Sequence, residues 1–248
     1  MSNTETTVRV ENLHKYYIIG DQTIKALNGI NLAVKKGEYL VIMGPSGSGK
    51  TTLLNIVGAL DVPNKGECYI DGIPLSSLTR KELSSIRVYK IGFVFQTFNL
   101  IDTLSALDNV SFPLVLAGKS HEEIKRRAKE VLEMVGLGDR THHRPPELSG
   151  GQRQRVAIGR AIANEPSLIL ADEPTANLDL RTGIQIVNLL RMLNKETGVT
   201  VINTTHDLKL MDIADRISWL RDGEITRDQE RIIVELTGED VEIPYFVD

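Results

Sequence analysis

Short apolar runs recur along the chain and alternate with segments of helical periodicity. Runs that are almost continuously apolar and bounded by helices are typical of strands in a parallel sheet that is covered on both faces. These runs are Leu40–Met43, Ile91–Phe95, Leu168–Ala171 and Val199–Asn203. We therefore predict an α/β fold whose core is a mainly parallel sheet.

Other segments indicate antiparallel strands. Val8–Leu13 and Ile30–Val34 are strand-like, and the second alternates apolar and polar residues. The dipeptides Asn28-Gly29, Asp71-Gly72 and Asp222-Gly223 are typical of hairpin turns. The sequence thus predicts an antiparallel β subdomain attached to the α/β core.

The segment 96–165 lacks apolar runs of that quality and carries a strong helix signal. Ser120 and Glu123 form a capping-box pattern at the start of a helix that ends at Gly136. Its periodic apolar positions, which we expect to be buried, are Ile124, Ala128, Val131, Leu132 and Val135. We predict a helical subdomain over 96–165, inserted into a core formed by 1–95 and 166–225.

A further helix is predicted from about Leu180 to Asn194, ending near Gly198. Its apolar positions at helical spacing, expected to be core contacts, are Ile184, Val187, Leu190 and Leu193. The remaining tail, 226–248, is acidic and matches no motif. It is interpreted either as a short appended helix packed on the core or as a solvated extension. Residues 1–6 are small, polar and expected to be frayed. All of these parts belong to a single domain, 1–248.

Composition narrows the class of protein. A formal charge of −4 over 248 residues argues against a nucleic-acid binder and against attachment to anionic lipid by charge alone. Cys68 is the single cysteine and is expected to be a small buried residue in a reducing compartment. Neither a secretory leader nor a membrane span is apparent, so any spanning helices are expected from another polypeptide.

The segment that follows Leu40–Met43 has the spacing of a phosphate-binding loop. It reads Gly44, Pro45, Ser46, Gly47, Ser48, Gly49, Lys50, Thr51, with Thr52 next. The glycines allow successive backbone N–H groups to face one anion, and the helix expected from Lys50 adds its positive dipole end. Lys50 supplies a cation for the outer phosphates, and the Thr51 hydroxyl can bind Mg²⁺. A chance match is the alternative. The loop's position before an apolar helix with Leu53, Leu54, Val57 and Leu60 argues against it.

Two carboxylates end the run at 168–171. Asp172 lies at the carboxyl end of a predicted central strand, where α/β sheets bind ligands, and it offers a hard oxygen ligand for Mg²⁺ opposite Thr51. Glu173 is placed to orient or deprotonate an attacking water. The alternative is that both acids cap the turn that Pro174 begins. The phosphate loop upstream favours the chemical roles.

Leu148–Gln152 reads as a second loop leading into a helix N-terminus. Ser149, Gly150 and Gly151 would form a second anion site in a chain that needs only one. Either this site binds a separate ligand, or it completes a phosphate site from another copy of the chain. A simple N-cap is the third interpretation.

Taken together, these motifs resemble those of the nucleotide-binding subunits of ATP-binding-cassette (ABC) transporters, over roughly 7–225. Leu148–Gln152 resembles the family's signature sequence, including Gln152. The resemblance implies a RecA-like phosphate-loop NTPase core and ATP hydrolysis with Mg²⁺. It also implies a homodimer that encloses ATP, and a separate membrane-spanning permease that holds the subunit at the cytoplasmic face.

The resemblance also assigns roles to residues outside those motifs. Tyr17 would stack on adenine, with Tyr16 as the alternative, and Gln96 would contact Mg²⁺ or the attacking water. Asp179, in a loop after the acidic pair, would cross the dimer interface as well as cap its helix. His206 would contact the γ-phosphate, where an imidazole can donate a hydrogen bond to developing negative charge. A purely structural role is the alternative for Gln96 and His206.

Four short segments are similar to those of the branch that serves macrolide export and lipoprotein release: Gly58–Pro63, Gln96–Ile101, Leu107–Val110 and Pro113-Leu114. Asp108 departs from this branch, which more often has Glu there. The resemblance implies export or extraction of a substrate. Two other classes compete with it: a soluble regulatory ABC ATPase without a membrane partner, and a phosphate-loop kinase or GTPase. Leu148–Gln152 and His206 argue against the last, and no guanine-selecting Asn-Lys-x-Asp motif is present.

Overall fold

The computed structural model describes residues 6–207, 212–232 and 245–246. Residues 1–5 of the segment expected to be frayed, and the tail residues 233–244 and 247–248, lie outside the described part. The strands are β1 (Thr6–Ile19), β2 (Gln22–Lys35), β3 (Tyr39–Met43), β4 (Lys65–Ile70), β5 (Ile73–Pro74), β6 (Ile91–Val94), β7 (Leu168–Asp172), β8 (Thr200–Thr205), β9 (Arg216–Arg221), β10 (Glu224–Ile232) and β11 (Tyr245–Phe246). The α-helices are α1 (Lys50–Val57), α2 (Arg80–Tyr89), α3 (Ala106–Leu116), α4 (His121–Met134), α5 (Gly150–Ile162) and α6 (Leu180–Thr197).

The predicted α/β core is confirmed. In the described residues a seven-stranded sheet has the order β11-β10-β9-β3-β8-β7-β6, and β9, β3, β8, β7 and β6 run parallel. One apolar cluster lies on each side of this sheet. Because β3, β8, β7 and β6 are consecutive neighbours, the segments that follow them emerge side by side at one edge.

The antiparallel subdomain is a separate sheet of order β2-β1-β4-β5. Asp71-Gly72 and Asp222-Gly223 form two-residue hairpin turns with positive φ at both residues, as predicted. The prediction for Asn28-Gly29 was wrong. These residues lie inside β2, where the pairing passes from Leu13↔Ile30 to His14↔Asn28 and leaves Gly29 as a bulge.

Helices fill the predicted insert at 96–165. The helix α4 has Ser120 as its N-cap, with the reciprocal bonds of a capping box to Glu123, and Gly136 follows its end at φ 74°. Of its predicted core positions, four are buried and Ile124 is half-buried. The helix α5 also begins with a capping box, between Ser149 and Gln152.

Three apolar or tail predictions are corrected by the structure. The helix α1 ends at Val57, so Leu60 lies beyond it and is 50% exposed. On α6, Ile184 is 43% exposed while its neighbour Ile186 is fully buried, because the core-facing stripe is rotated from the predicted one. The tail begins as part of the strand β10, so the predicted boundary at 225 falls inside a strand, while the choice between an appended helix and a solvated extension concerns residues that lie mostly outside the described part.

Cys68 is buried in the cluster beneath the antiparallel sheet, as predicted. Burial raises the pKa of its thiol to about 12, with a smaller contribution from the charge of Glu67. A thiol with this pKa is protonated at neutral pH and is therefore unreactive.

A buried ion-pair network joins the two sheets. Arg216 on β9 donates from Nε to Glu38 at 2.6 Å and from Nη1 to Asp228 on β10 at 2.7 Å. The side chains of Arg216 and Glu38 are 11% and 7% exposed. Arg216 also donates to the Ala33 carbonyl of β2. The network therefore fixes β2 against the end of the main sheet.

We expect Glu38→Ala to destabilise the fold by about 3 kcal/mol, because it leaves a buried guanidinium without its closest carboxylate. Lys35→Ala is the matched control. Lys35 pairs with Glu230 at 3.0 Å, but both side chains are about two-thirds exposed, so the loss should stay below about 1 kcal/mol. Urea denaturation midpoints measure both. Equal shifts of the two midpoints would show that the buried network contributes no more to stability than the exposed pair does.

Candidate functional site

The phosphate loop lies between the central strand β3 and α1. Gly49 is the N-cap of α1 and has φ 107°, a conformation that side-chain-bearing residues rarely adopt. A Cβ at Gly49 would lie 2.4 Å from the carbonyl oxygen of Ala26, and one at Gly44 would lie 2.2 Å from that of Leu220. The strands β2 and β9 therefore pack so closely against the loop that only glycine fits at these two positions. Pro45, Ser46, Gly47 and Thr51 remain exposed, while Ser48 is buried and Thr52 half-buried.

Lys50 is folded back over this loop. Its Nζ donates to the carbonyl oxygens of Gly44 at 2.8 Å and Pro45 at 3.0 Å, and its side chain is only 5% exposed. The same Nζ lies 3.3 Å from Oε1 of Glu173. The structure thus brings together the loop cation and the predicted catalytic carboxylate.

Asp172 ends β7 and faces the first turn of α1. Its Oδ2 accepts a hydrogen bond from Thr51 Oγ1 at 2.8 Å, and its Oδ1 accepts one from Thr204 Oγ1 at 2.7 Å. The hydroxyl and carboxylate predicted to hold Mg²⁺ are therefore adjacent. Thr204 was missed by sequence reasoning. Its signal in the sequence was a polar residue near the end of an apolar strand, two positions before His206.

Glu173 lies between two cationic or titratable groups. Its Oε2 is 3.2 Å from Nδ1 of His206, while its Oε1 faces Lys50. Its backbone has φ 44°, an unusual value for a residue with a side chain, and its N–H donates to Thr204 Oγ1 at 3.0 Å. The imidazole is 62% exposed, so this cluster opens to solvent on the side of His206.

The predicted signature residues occupy the N-terminus of α5. Ser149 accepts from the N–H of Gln152, and Gln152 Oε1 accepts from the N–H of Ser149 at 2.9 Å. A Cβ at Gly150 would lie 3.1 Å from Leu178. Within the described residues, no hydrogen bond joins these residues to the phosphate loop of the same chain.

Gln96 and Asp179 lie on loops that contact each other. The Gln96 side chain is exposed, and its backbone carbonyl oxygen accepts from Asn177 Nδ2 at 2.9 Å. Asp179 is the N-cap of α6, with Oδ1 accepting from Thr182 N–H at 3.1 Å. Hydrogen bonds from Thr182 lower the pKa of Asp179, so it is ionised at neutral pH. Capping is the role that one chain alone shows for Asp179.

Tyr17 lies on β1 near the hairpin tip and is 39% exposed. Its hydroxyl donates to Asp61 at 3.1 Å, and the Lys15 ammonium lies 5.1 Å from its ring centroid. Tyr16 points to the other face of the strand and is half-buried. Of the two tyrosines, Tyr17 therefore offers more open ring surface for stacking. Asp61, which orients that ring, was not predicted.

The residues present fit a magnesium nucleoside triphosphate. A Cβ at Gly44 or Gly49 would collide with neighbouring backbone, and a buried Ser48 hydroxyl has no hydrogen-bond partner within the described residues. None of the described residues form a group of three or more acidic, His or Cys side chains able to hold a metal by themselves. Thr51 and Asp172 supply only part of a ligand set, as expected for Mg²⁺ that is shared with phosphate oxygens.

The comparison with known families decides the identity of this fold. The family model described as "ABC transporter" matches residues 27–176. The chain belongs to the ABC transporter family. It is an ATP-binding, ATP-hydrolysing subunit of the ABC type, and this excludes the kinase and GTPase interpretations.

Curated relatives are similar over most of the chain. An uncharacterized ABC transporter ATP-binding protein of Thermotoga maritima is 52% identical over 220 residues, which is 89% of this chain and 94% of that protein. The macrolide export ATP-binding/permease protein MacB of Rhodopirellula baltica is 48% identical over 223 residues, but these are 89% of this chain and only 33% of that protein. The ABC subunit is therefore similar both to separate ATP-binding proteins and to a part of a larger one.

Solved structures share the fold. The ATP-binding cassette MJ0796, from a protein of Methanocaldococcus jannaschii, has a dimeric structure described as a post-hydrolysis state bound to ADP and Pi. It is 50% identical, has a TM-score of 0.83 and covers 90% of this chain and 98% of that chain. A second dimeric structure of the same cassette has a TM-score of 0.84. The RecA-like fold expected from the resemblance is confirmed.

We expect Gly49→Ala to weaken ATP binding at least tenfold, about 1.4 kcal/mol, because the new Cβ displaces the loop from Ala26. Gly72→Ala is the matched control. Gly72 has a similar φ of +78° in the β4–β5 turn and open space around it, so backbone strain changes there without any effect on the loop. Calorimetric titration with ATP measures both variants. Equal affinities would contradict the cradle geometry.

Proposed function

We propose that two copies of this chain enclose two ATP–Mg²⁺ at their interface. Each ATP would lie on the phosphate loop of one copy and beneath Ser149, Gly150 and Gly151 of the other. One observation carries this proposal: the chain has two glycine-containing helix N-termini, at α1 and α5, and no hydrogen bond joins them within the described residues. The dimeric structures of the 50% identical cassette support it.

Within each site the nucleotide would be held by contacts along its length. Tyr17 would stack on adenine, and the loop amides and Lys50 would bind the phosphates. Thr51, Asp172 and Gln96 would hold Mg²⁺, which supplies positive charge to the phosphate oxygens. Asp179 would approach the partner copy from the start of α6. Binding requires that Lys50 leave the carbonyl oxygens of Gly44 and Pro45, since its donors are then needed by phosphate.

Hydrolysis would be performed by the cluster around Glu173. Its carboxylate orients and deprotonates a water that attacks the γ-phosphorus, and the bond to the bridging oxygen of ADP breaks to release ADP and phosphate. Lys50 and His206 stabilise the negative charge that develops on the transferred group. The 3.2 Å contact between Glu173 and His206 supports this assignment, because it holds both groups on one side of the phosphate loop.

We further propose that ATP-driven association moves a separate membrane-spanning permease, with this subunit on the cytoplasmic face. The relative of which the chain covers 94% is named an ATP-binding protein alone, whereas MacB of Rhodopirellula baltica is named an ATP-binding/permease protein. That second name favours export or extraction. The described helices include none with the length and apolarity to cross a bilayer.

An open apolar groove offers a surface for that permease. It has a volume of about 590 Å³, lies between the core sheet and the helical insert, and is lined by Phe93, Phe95, Phe112 and Arg160 among others. Phe112 and Leu116 of this lining are exposed on α3, and Val115 on the same helix is exposed as well. The alternative, a soluble regulatory ATPase, leaves this apolar surface without an occupant.

We expect Glu173→Gln to bind ATP without hydrolysing it and therefore to accumulate as an ATP-bound dimer on size-exclusion chromatography. Glu122→Gln, an exposed change on α4, should behave as the wild type does. If the Glu173→Gln protein stays monomeric at saturating ATP and Mg²⁺, and the wild type shows no turnover, the sandwich model is wrong.

We expect a membrane protein to copurify with the native chain in mild detergent, and Phe112→Glu to abolish this while leaving basal ATP hydrolysis within about twofold. Met192→Glu, at an exposed position on α6, is the control. Recovery without any membrane protein from wild-type cells would favour the soluble regulatory ATPase.

A further inference from the structure

Gln154 is a fully buried glutamine in the second turn of α5. Its Nε2 donates to the carbonyl oxygen of Pro174 at 2.8 Å and contacts that of Phe95 at 3.4 Å. Its Oε1 is buried without a hydrogen-bond partner in the described residues. A buried polar side chain that is only half satisfied adds little to stability. The two donated bonds are therefore the feature that needs explanation.

The two acceptors flank groups of the proposed site. Phe95 directly precedes Gln96, and Pro174 directly follows Glu173. A single side chain thus joins the loop of the predicted Mg²⁺ contact to the turn of the predicted catalytic base. Sequence reasoning did not identify it, because a glutamine at an inward position of a helix carries no motif of its own.

The turn at Glu173 needs such a restraint. Its φ of 44° costs energy for a residue with a side chain, and the following Pro174 restricts it further. On its N-terminal side the turn is held by Thr204, which accepts from Glu173 N–H through both Oγ1 and the carbonyl oxygen. On its C-terminal side the bond from Gln154 to the Pro174 carbonyl holds it. Loss of that bond would free one end of the turn.

The helix α5 carries this restraint to the signature residues. It is continuous from Gly150 to Ile162, so Gln154 lies one turn from Gly150. Elsewhere along the helix, Arg160 donates to the Phe98 carbonyl at 2.9 Å, and the Arg153 guanidinium lies 5.2 Å from the Phe98 ring centroid. The helix and the loop at 95–99 are thus bonded at several points and form one unit.

We infer that Gln154 is a positioning residue that couples the two ATP sites. In the proposed dimer, on which this inference rests, Ser149–Gly151 cover the ATP of the partner, while Glu173 serves the ATP of its own chain. A shift of α5 on engaging the partner's ATP is transmitted through Gln154 to the turn that aims Glu173. Gln154 itself touches no reacting atom.

The test uses Gln154→Met, which keeps the side-chain length and removes the amide. Ile158→Val, at a fully buried position on the same helix, is the matched control for packing. We expect kcat for ATP hydrolysis to fall about 10- to 100-fold in Gln154→Met, because a misplaced base loses most of its effectiveness. The KM for ATP should stay within about threefold, since the phosphate loop is untouched. In a Glu173→Gln background the ATP-bound dimer should still form. Ile158→Val should keep near-wild-type kcat.

Several results would overturn the inference. One is a Gln154→Met kcat within twofold of wild type. Another is a parallel loss of kcat, ATP affinity and urea midpoint, or an equal kcat loss in Ile158→Val, either of which marks Gln154 as structural. Failure of both Gln154→Met and Gln154→Leu to yield folded protein would mark it in the same way. A wild type without turnover, or a monomeric Glu173→Gln protein at saturating ATP, contradicts the proposed function first and the inference with it.

Discussion

The register of the parallel strands is the constraint on which the whole site depends. Met43 at the end of β3 lies opposite Thr205 on β8, and Thr204 lies opposite Asp172 on β7. The phosphate loop, His206 and the Asp172–Glu173 pair therefore begin at the same level of the sheet. A shift of one residue in either pairing would turn these side chains to the opposite face. The Thr51–Asp172 and Glu173–His206 contacts exist because this register holds.

In the resulting site the backbone of the phosphate loop and of the acidic turn is held in place, while the loop surface and His206 are exposed to solvent. The carbonyl groups of Ala26 and Leu220 pack against the phosphate loop, and Thr204 forms hydrogen bonds with both Asp172 and Glu173. Lys50 is paired with Glu173 and with two loop carbonyls, so its charge is compensated by groups of its own chain. A bound triphosphate must therefore give Lys50 contacts that are more favourable than those with Glu173 and the loop carbonyls. In the proposed dimer, contacts from the second copy add to the binding free energy of the triphosphate.

Much of the fold follows from local patterns, and the errors have physical causes. The capping box at Ser120 and the hairpin at Asp222-Gly223 depend on a few neighbouring residues, so their sequences suffice. Gly29 has the same local chemistry as a turn, but the pairing of β1 with β2 on both sides of it makes it a bulge. Ile184 has helical spacing, but spacing alone does not say which of two adjacent apolar stripes meets the core.

In the site, too, residues defined by short local motifs could be predicted, and residues defined by contacts between distant segments could not. Lys50, Thr51, Asp172 and Glu173 were identified because their chemistry needs fixed spacing within short segments. Thr204 and Gln154 act through contacts between segments far apart in the chain, and no local pattern reveals them. Whether Ser149–Gly151 serve the same chain or another is also a matter of assembly. The sequence left open a separate ligand, a phosphate site completed for another copy, and a simple N-cap, and the proposed dimer takes the second.

The central claim is that Ser149–Gly151 of one copy cover the ATP bound to another copy. Site-specific cross-linking between two copies tests this claim most directly. One chain would carry Ser46→Cys in the phosphate loop, and a differently tagged chain would carry Ser149→Cys, both with Glu173→Gln. The native Cys68 is buried and does not interfere. With ATP and Mg²⁺, a short bismaleimide should give a covalent dimer that carries both tags, and none without nucleotide. The absence of that dimer at saturating ATP would contradict the account. So would a cross-link formed only within one chain when both cysteines are placed together.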